Sequence, residues 1–337
     1  MKLLHLLSRF NSEQVLAFND PSCGLKGFLV IDTIKNGVTF GGVRLRKYKN
    51  ELEAFNDAIR LAKTMTKKCD ISGVPGGGSK VVLMENQKFD RSNAMKKLGE
   101  IINEFGGTVY AGRDVGTTLD DMKIVGKKTS YVIDESESKA GDLAKCTAYG
   151  VMKGMEAMSK FVFGKTSLKG RTILIQGLGS VGAHLMGCCN KAGAKLILAD
   201  VKQAKAKDFA KRFRCRFVMA SRVYETECDI FSPCAVGEIL NRESIKKLKC
   251  QIVAGSANNV YEDIDQNDRQ LYRRKIVTVP DFLLNAGALI QGANYILSKK
   301  KNNKDAIDHI FDQTLKILRL TKLKKLPPGK IVEQFLH

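Results

Sequence analysis

The sequence predicts a two-domain α/β protein, with a mixed α/β N-terminal domain followed by a doubly wound, parallel-sheet domain. Three observations carry this. A length of 337 residues exceeds one ordinary hydrophobic core, and a hydrophobic content of 44% can fill two. From Arg171 onward, short apolar strands alternate with helical stretches: TILIQ, a helix from Val181, KLILA, a helix near Lys202 to Phe213, RFVM, CDIFS, QIVAG and IVTV. Such alternation belongs to a parallel sheet with helical crossovers. Finally, the glycine pattern QGLGSVG joins the first of these strands to its helix.

In the N-terminal half, residues 26 to 34 (KGFLVIDTI) read as a strand. Glu51 to Lys68 read as a helix with Leu52, Phe55, Ile59 and Ala62 on one face. Met95, Leu98, Ile102 and Phe105 mark a second amphipathic helix, capped by Asp90 or Ser92. KVVLM and GTVYAG are short buried strands around it. The polar stretch IDESESKAGD precedes the helical run TAYGVMKGMEAM and marks the boundary. The expected domains are residues 1–135 and 136–320. A C-terminal helix within 321–337, after Pro327 and Pro328, is expected to return to the N-terminal domain.

Composition removes several function classes. No run of eighteen apolar residues occurs, and MKLLHLLSRFNSEQ turns polar too soon for a secretory signal, so a cytoplasmic location is expected. Nine cysteines without a CxxC pair, together with four histidines, give no support for a metal site. The net charge of +21 could attract nucleic acid. It is lysine spread along the chain, with runs at Lys299 to Lys304 and Lys322 to Lys325, and no nucleic-acid-binding motif accompanies it. A solvated basic surface is the expected meaning.

The stretch MTKKCDISGVPGGGSK sets Lys68 and Lys80 twelve residues apart around a glycine cluster. A lysine can anchor a carboxylate as a cation or, once desolvated, act as a base near neutral pH. In the second half, Gly177, Gly179 and Gly182 fit GxGxxG after a strand and at the opening of a helix, with Ser180 and Val181 inside the pattern. The first glycine makes the turn, the second admits a pyrophosphate and the third lets helix pack on strand. Asp200 ends the second strand, eighteen residues beyond Gly182, where a carboxylate can accept bonds from the adenosine ribose. This favours NAD over NADP, although Lys202 lies two residues on.

Eight motifs occur in order: GGVR (Gly41 to Arg44), MTKK...GGGSK, AGRDVGTT (Ala111 to Thr118), TAYG (Thr147 to Gly150), GLGSVG, CDIFSPCAVG (Cys228 to Gly237), AGSANN (Ala254 to Asn259) and PDFLLNAG (Pro280 to Gly287). Together they resemble the glutamate/leucine/phenylalanine/valine dehydrogenase family, most nearly its leucine and phenylalanine members. The resemblance implies NAD-linked, reversible oxidative deamination of an L-amino acid to a 2-oxo acid and ammonia, in a cleft between the domains of a homo-oligomer. It implies that Lys68 holds the substrate α-carboxylate, Lys80 activates the water that attacks the imine, and Asp114 shuttles protons to and from nitrogen. It further implies that Gly41, Gly42 and Asn285 face the substrate, and that Thr147, Ala235 and Asn258 face the nicotinamide end of the cofactor.

Glutamate-type members place lysine where this chain has Phe40, which cannot neutralise a side-chain carboxylate. A branched-chain or aromatic substrate is therefore expected. Gly112 resembles the phenylalanine type, where leucine types have alanine; it enlarges the side-chain pocket while Phe40 shrinks it. Arg113 is expected to place an extra cation beside Asp114. The competing reading for Asp114 is a helix cap near Thr117, and for Asn258 and Asn285 a turn residue. A catalytically idle dinucleotide-binding homologue is the alternative function. Retention of Lys68, Lys80 and Asp114 argues against it.

Overall fold

The computed structural model describes residues 12–235, 237, 239–258 and 260–335, so the reading of MKLLHLLSRF lies outside the described residues. Contacts divide the chain into two units. One comprises residues up to 141 with 292–301, and the other comprises 142–291 with 302 onward.

The first unit holds a five-stranded mixed sheet of β1 (Gln14–Asp20), β2 (Leu25–Thr33), β3 (Thr39–Arg46), β4 (Gly77–Met84) and β5 (Val109–Arg113), in the order β1-β2-β4-β3-β5. β1–β2 and β2–β4 pair antiparallel, whereas β4–β3 and β3–β5 pair parallel. Helix α1 (Glu51–Ser72) starts where the Asn50 side chain accepts the Glu53 N–H and ends at Gly73 in the left-handed region (φ +70°). Its stripe of Ala54, Phe55, Ala58, Ile59 and Ala62 packs on Val30 and Val82. Leu52 is a correction: it is 44% exposed, because it falls off this stripe in the first turn. Helix α2 (Arg91–Glu104), capped by Asp90, buries Ala94, Met95, Leu98 and Ile102 in the core that includes Val43, Val81 and Leu83. Both faces of the sheet are thus covered, which is why β4 is buried on both sides. α3 (Leu119–Gly126) completes this unit.

The glycine cluster is not a free loop. Gly77 and Gly78 open β4, and a Cβ on Gly78 would collide with the Thr66 amide and the Ala62 carbonyl of α1. The glycines let helix and strand backbones touch.

In the second unit β6 (Thr172–Gln176), β7 (Lys195–Ala199), β8 (Arg216–Phe217), β9 (Ile230–Pro233) and β10 (Ile252–Val253) form a parallel sheet in the order β10-β9-β6-β7-β8. Counted within the unit this is 5-4-1-2-3, the doubly wound Rossmann order with its switch point between β6 and β9. IVTV supplies only a parallel bridge from Val277 to Ile252, and QIVAG shortens to two residues. The helices are α4 (Leu143–Phe163), α5 (Ser180–Lys191), α6 (Gln203–Arg212), α7 (Arg242–Lys247), α8 (Ile264–Arg273), α9 (Asp281–Leu284), α11 (Lys304–Lys324) and α12 (Pro328–Phe335). Between α9 and α11, α10 (Gly287–Ser298) gives its residues from 292 on to the first unit.

The expected return of residues 321–337 to the N-terminal domain is corrected. α12 buries Pro328, Ile331 and Val332 and packs on α8 and α11 in the second unit. The Gly329 N–H donates to the Asp268 carboxylate at 2.8 Å and fixes the helix start there. Among the described residues, no helix is long and apolar enough to cross a membrane.

Candidate active site

Side chains alternate along a strand, so Lys80, paired with Val30 across β2, shares the α1-covered face with Val82. On that face the neighbouring strands bring glycine: Gly42 of β3 lies opposite Gly112 of β5, whereas Gly41, opposite Ala111, points to the other face, where a Cβ would meet the Ser79 carbonyl. A Cβ on Gly42 would stand 2.9 Å from the Asp114 Cβ and 3.0 Å from the Lys80 Nζ. Only glycine at this position lets Lys80 and Asp114 meet unobstructed.

They meet at 2.8 Å, Nζ to Oδ2. The same oxygen accepts from Arg44 Nε at 2.9 Å. Arg44 Nη1 reaches Asp57 Oδ2 of α1 at 3.2 Å, and Asp57 also accepts from Tyr48 Oη at 2.8 Å and Arg60 Nη2 at 2.6 Å. Lys80 is 5% exposed, Arg44 7% and Asp57 9%. Burial pushes the Lys80 amine below its ordinary range; Asp114 opposes that shift and Arg44 reinforces it. For Asp114, burial alone would raise the carboxyl, but Lys80 and Arg44 hold it well below the usual carboxylate range.

Asp114 is no helix cap. Its N–H donates to Thr117 Oγ1, while Thr118 caps α3 in a reciprocal pair with Asp121. The expected cation beside it is corrected as well: Arg113 grips Glu135 with two bonds of 2.9 and 3.0 Å, and Arg44 takes the place beside Asp114. Strand alternation explains this, since adjacent residues point to opposite sides. Lys68 lies half-buried near the C-terminal end of α1, the helix that covers this face. Phe40 is fully buried, stacked on Tyr110 at 5.8 Å between ring centroids. A Cβ on Gly112 would rest 3.4 Å from Ile133 Cδ1, an ordinary contact.

The second unit carries the glycine turn. Gly177 takes φ +93°, and a Cβ there would press on the Cys234 carbonyl at the end of β9, 2.8 Å away. A Cβ on Gly182 would collide with the Gly177 carbonyl. Gly179 faces open space, and as N-cap of α5 it supplies no side-chain cap. Together with Ser180 and Val181 in the first turn it leaves amides available, which fits a pyrophosphate at the helix N-terminus. Asp200 follows β7, accepting the Leu178 N–H at 2.7 Å and the Lys202 N–H at 2.8 Å, and so fixes the turn.

Thr147 is buried on α4, its hydroxyl donating to the Leu143 carbonyl. Ala235 follows Cys234 beyond β9. Asn285 Nδ2 donates to Asn258 Oδ1 at 2.8 Å, leaving the buried Asn285 Oδ1 without a partner. The same Nδ2 also faces the Ser256 carbonyl at 3.5 Å.

Sequence reasoning missed Arg44 and Asp57. A signal existed: the GGVR motif ends in Arg44, and Asp57 interrupts the apolar stripe of α1 three residues before Arg60.

The profile described as Glu/Leu/Phe/Val dehydrogenase, dimerisation domain, matches residues 12–137, and that of Glutamate/Leucine/Phenylalanine/Valine dehydrogenase matches 197–313. The chain is 36% identical over 331 residues to a leucine dehydrogenase of Thermoactinomyces intermedius, covering 97% of this chain and 90% of that one. It is 36% identical over 299 residues to a phenylalanine dehydrogenase of Lysinibacillus sphaericus, covering 86% and 78%. Its fold is similar to the crystal structure of L-tryptophan dehydrogenase from Nostoc punctiforme, with a TM-score of 0.85 and 29% identity over 98% of this chain and 96% of that one. Fold and relatives define an amino-acid dehydrogenase, an oxidoreductase acting on the CH–NH2 group. The chain belongs to the Glu/Leu/Phe/Val dehydrogenase family.

Proposed function

We propose that this protein catalyses the NAD-linked, reversible oxidative deamination of a branched-chain or aromatic L-amino acid to its 2-oxo acid and ammonia. The observation that carries the reading is the contact of Lys80 with Asp114 over the bare backbone of Gly42. Lys68, as a cation, holds the α-carboxylate, and Asn285 helps to orient it. Lys80 is poised to lose its proton because burial disfavours its charge, so it takes the proton of the water that attacks the substrate imine. Asp114 rests ionised between its cations, takes a proton from the substrate nitrogen in passing and gives it back in the reverse step.

NAD, when bound, accepts the hydride from the substrate α-carbon. Gly177, Gly179, Ser180, Val181 and Gly182 would hold its pyrophosphate, Asp200 the adenosine ribose, and Thr147, Ala235 and Asn258 the nicotinamide end. Asp200 would repel a 2′-phosphate, which favours NAD over NADP. Phe40 brings no charge to a glutamate side chain and shares its face of the sheet with Gly42 and Gly112. The match of residues 12–137 to a dimerisation domain supports a homo-oligomer built through the first unit. Nine free thiols fit a reducing, cytoplasmic setting.

The test is absorbance at the NADH band with a panel of 2-oxo acids plus ammonia. Consumption of NADH with branched-chain or aromatic oxo acids, and little with 2-oxoglutarate, is the expected result. Silence across the panel would overturn the reading.

A further inference from the structure

A buried lysine that must release its proton beside a buried carboxylate faces a difficulty. Once Lys80 is neutral, Asp114 would be left as an unpaired charge in a site screened from water, and the ion pair would hold the proton in place. The Arg44 guanidinium removes that difficulty. It donates to the same Asp114 oxygen as Lys80, at 2.9 Å against 2.8 Å, so the carboxylate keeps a charged partner when Lys80 becomes an amine. The guanidinium cannot itself lose a proton in this pH range.

We propose that Arg44, anchored by Asp57, is a positioning residue that holds Asp114 ionised and oriented while Lys80 cycles between ammonium and amine. The inference rests on the amino-acid deamination reading and deepens it. Arg44 is fixed at both ends: Nε bonds Asp114 and Nη1 bonds Asp57, which Tyr48 and Arg60 hold in turn. Charges facing the cluster come from every side. β3 and the residues just after it give Arg44 and Tyr48, α1 gives Asp57 and Arg60, and Asp114 follows β5. Asp32 of β2 is taken by Thr66 of α1 at 2.6 Å. Lys80 and Arg44 thus stand against Asp114 and Asp57 in the buried part of the cluster, with Arg60 at its exposed edge and Lys68 further along α1. The bonding groups of Arg44 and the charge at Lys80 are coupled in opposite senses by the two anchors: Arg44 disfavours the Lys80 charge and Asp57 favours it.

That opposition supplies the test. The pH profile of kcat/KM for deamination is compared in the wild type, Arg44→Gln, Arg44→Lys and Asp57→Asn, each checked for folding by circular dichroism. Arg44→Gln is expected to move the acid limb to higher pH by about one unit, a tenfold loss at a fixed pH on that limb. Arg44→Lys should restore most of it, and Asp57→Asn should move the limb the other way. If Arg44→Gln does not fold, the downward shift of Asp57→Asn beside a limb close to wild type in Arg44→Lys decides. Unmoved limbs, or shifts of one sign in all variants, overturn the inference. The titration of Lys80 in protein labelled with 13C at lysine Cε, assigned with Lys80→Met, reads the same proton without turnover. A wild type that consumes no NADH with any oxo acid sinks the deamination reading alone, whereas a Lys80 titration indifferent to Arg44 and Asp57 sinks this one.

Discussion

The first unit concentrates charge on one face of its sheet, whereas the second presents backbone at a glycine turn. In the first, Lys80, Arg44, Asp57 and Asp114 are buried or nearly so and bonded to one another. In the second, the turn from Gly177 to Gly182 owes its shape to missing side chains, with Asp200 as its one carboxylate. Asp114 and Asp268, one from each unit, show the same contrast. Asp114 is held low by two cations, while Asp268 on α8 has one backbone N–H and a carboxyl that burial pushes up to about 6. A site made of side chains can move protons. One made of backbone amides fixes a shape and a preference for anions.

The comparison breaks most sharply at Lys80. Lys80→Ala is expected to lower kcat by about 10³-fold, within the range of general acid–base catalysis, and to leave NAD affinity unchanged by titration of the cofactor. Loss of NAD binding would mean that the two units do not divide the work as described. Gly42→Ala should follow at about 10²-fold, because its methyl would crowd both Lys80 and Asp114. Gly182→Ala is its counterpart: the methyl would drive α5 off the turn, so NAD binding should weaken by about tenfold or more. Equal effects of both alanines on kcat and on NAD affinity would erase the distinction. Next in size, Asp200→Ala should raise the ratio of NADP to NAD turnover by about tenfold, since a repulsive charge is removed.

The turn was legible because its signal is local. Three glycines within six residues, a strand before and a helix after can all be read in one window, and the structure puts each where that window implies. The first unit's cluster is assembled from β3, α1, β4 and the residue after β5, which are far apart in sequence, so only a family resemblance brings Lys80 and Asp114 together beforehand. Arg44 and Asp57 stayed hidden because each looks ordinary in its own element. Arg113 was misleading for the same reason: adjacency in sequence suggests a partner, but a strand turns neighbours to opposite faces. α12 shows the limit for packing. Its apolar face is obvious from Ile331 and Val332, but nothing local names Asp268 as the acceptor waiting for Gly329.

Asp268 gives the smallest effect and tests whether the second unit tolerates a buried charge. Burial raises its carboxyl, Gly329 and Lys330 pull it down, and Asp265 raises it further. A carboxyl with a folded pKa above its unfolded value binds its proton more tightly in the native state. Stability is therefore highest when it is protonated and falls as pH rises from about 4 through about 6. Above that window the ionised group costs at most about 3 kcal/mol, from a shift of about two units. Asp268→Asn removes the charge yet keeps an oxygen that can accept the Gly329 N–H. Thermal unfolding at pH 8 should then show the variant a few degrees more stable than the wild type, with no advantage at pH 4. An equal gain at both pH values would trace the effect to packing of α12 rather than to charge, and a loss at pH 8 would show that the ionised carboxylate is what holds that helix.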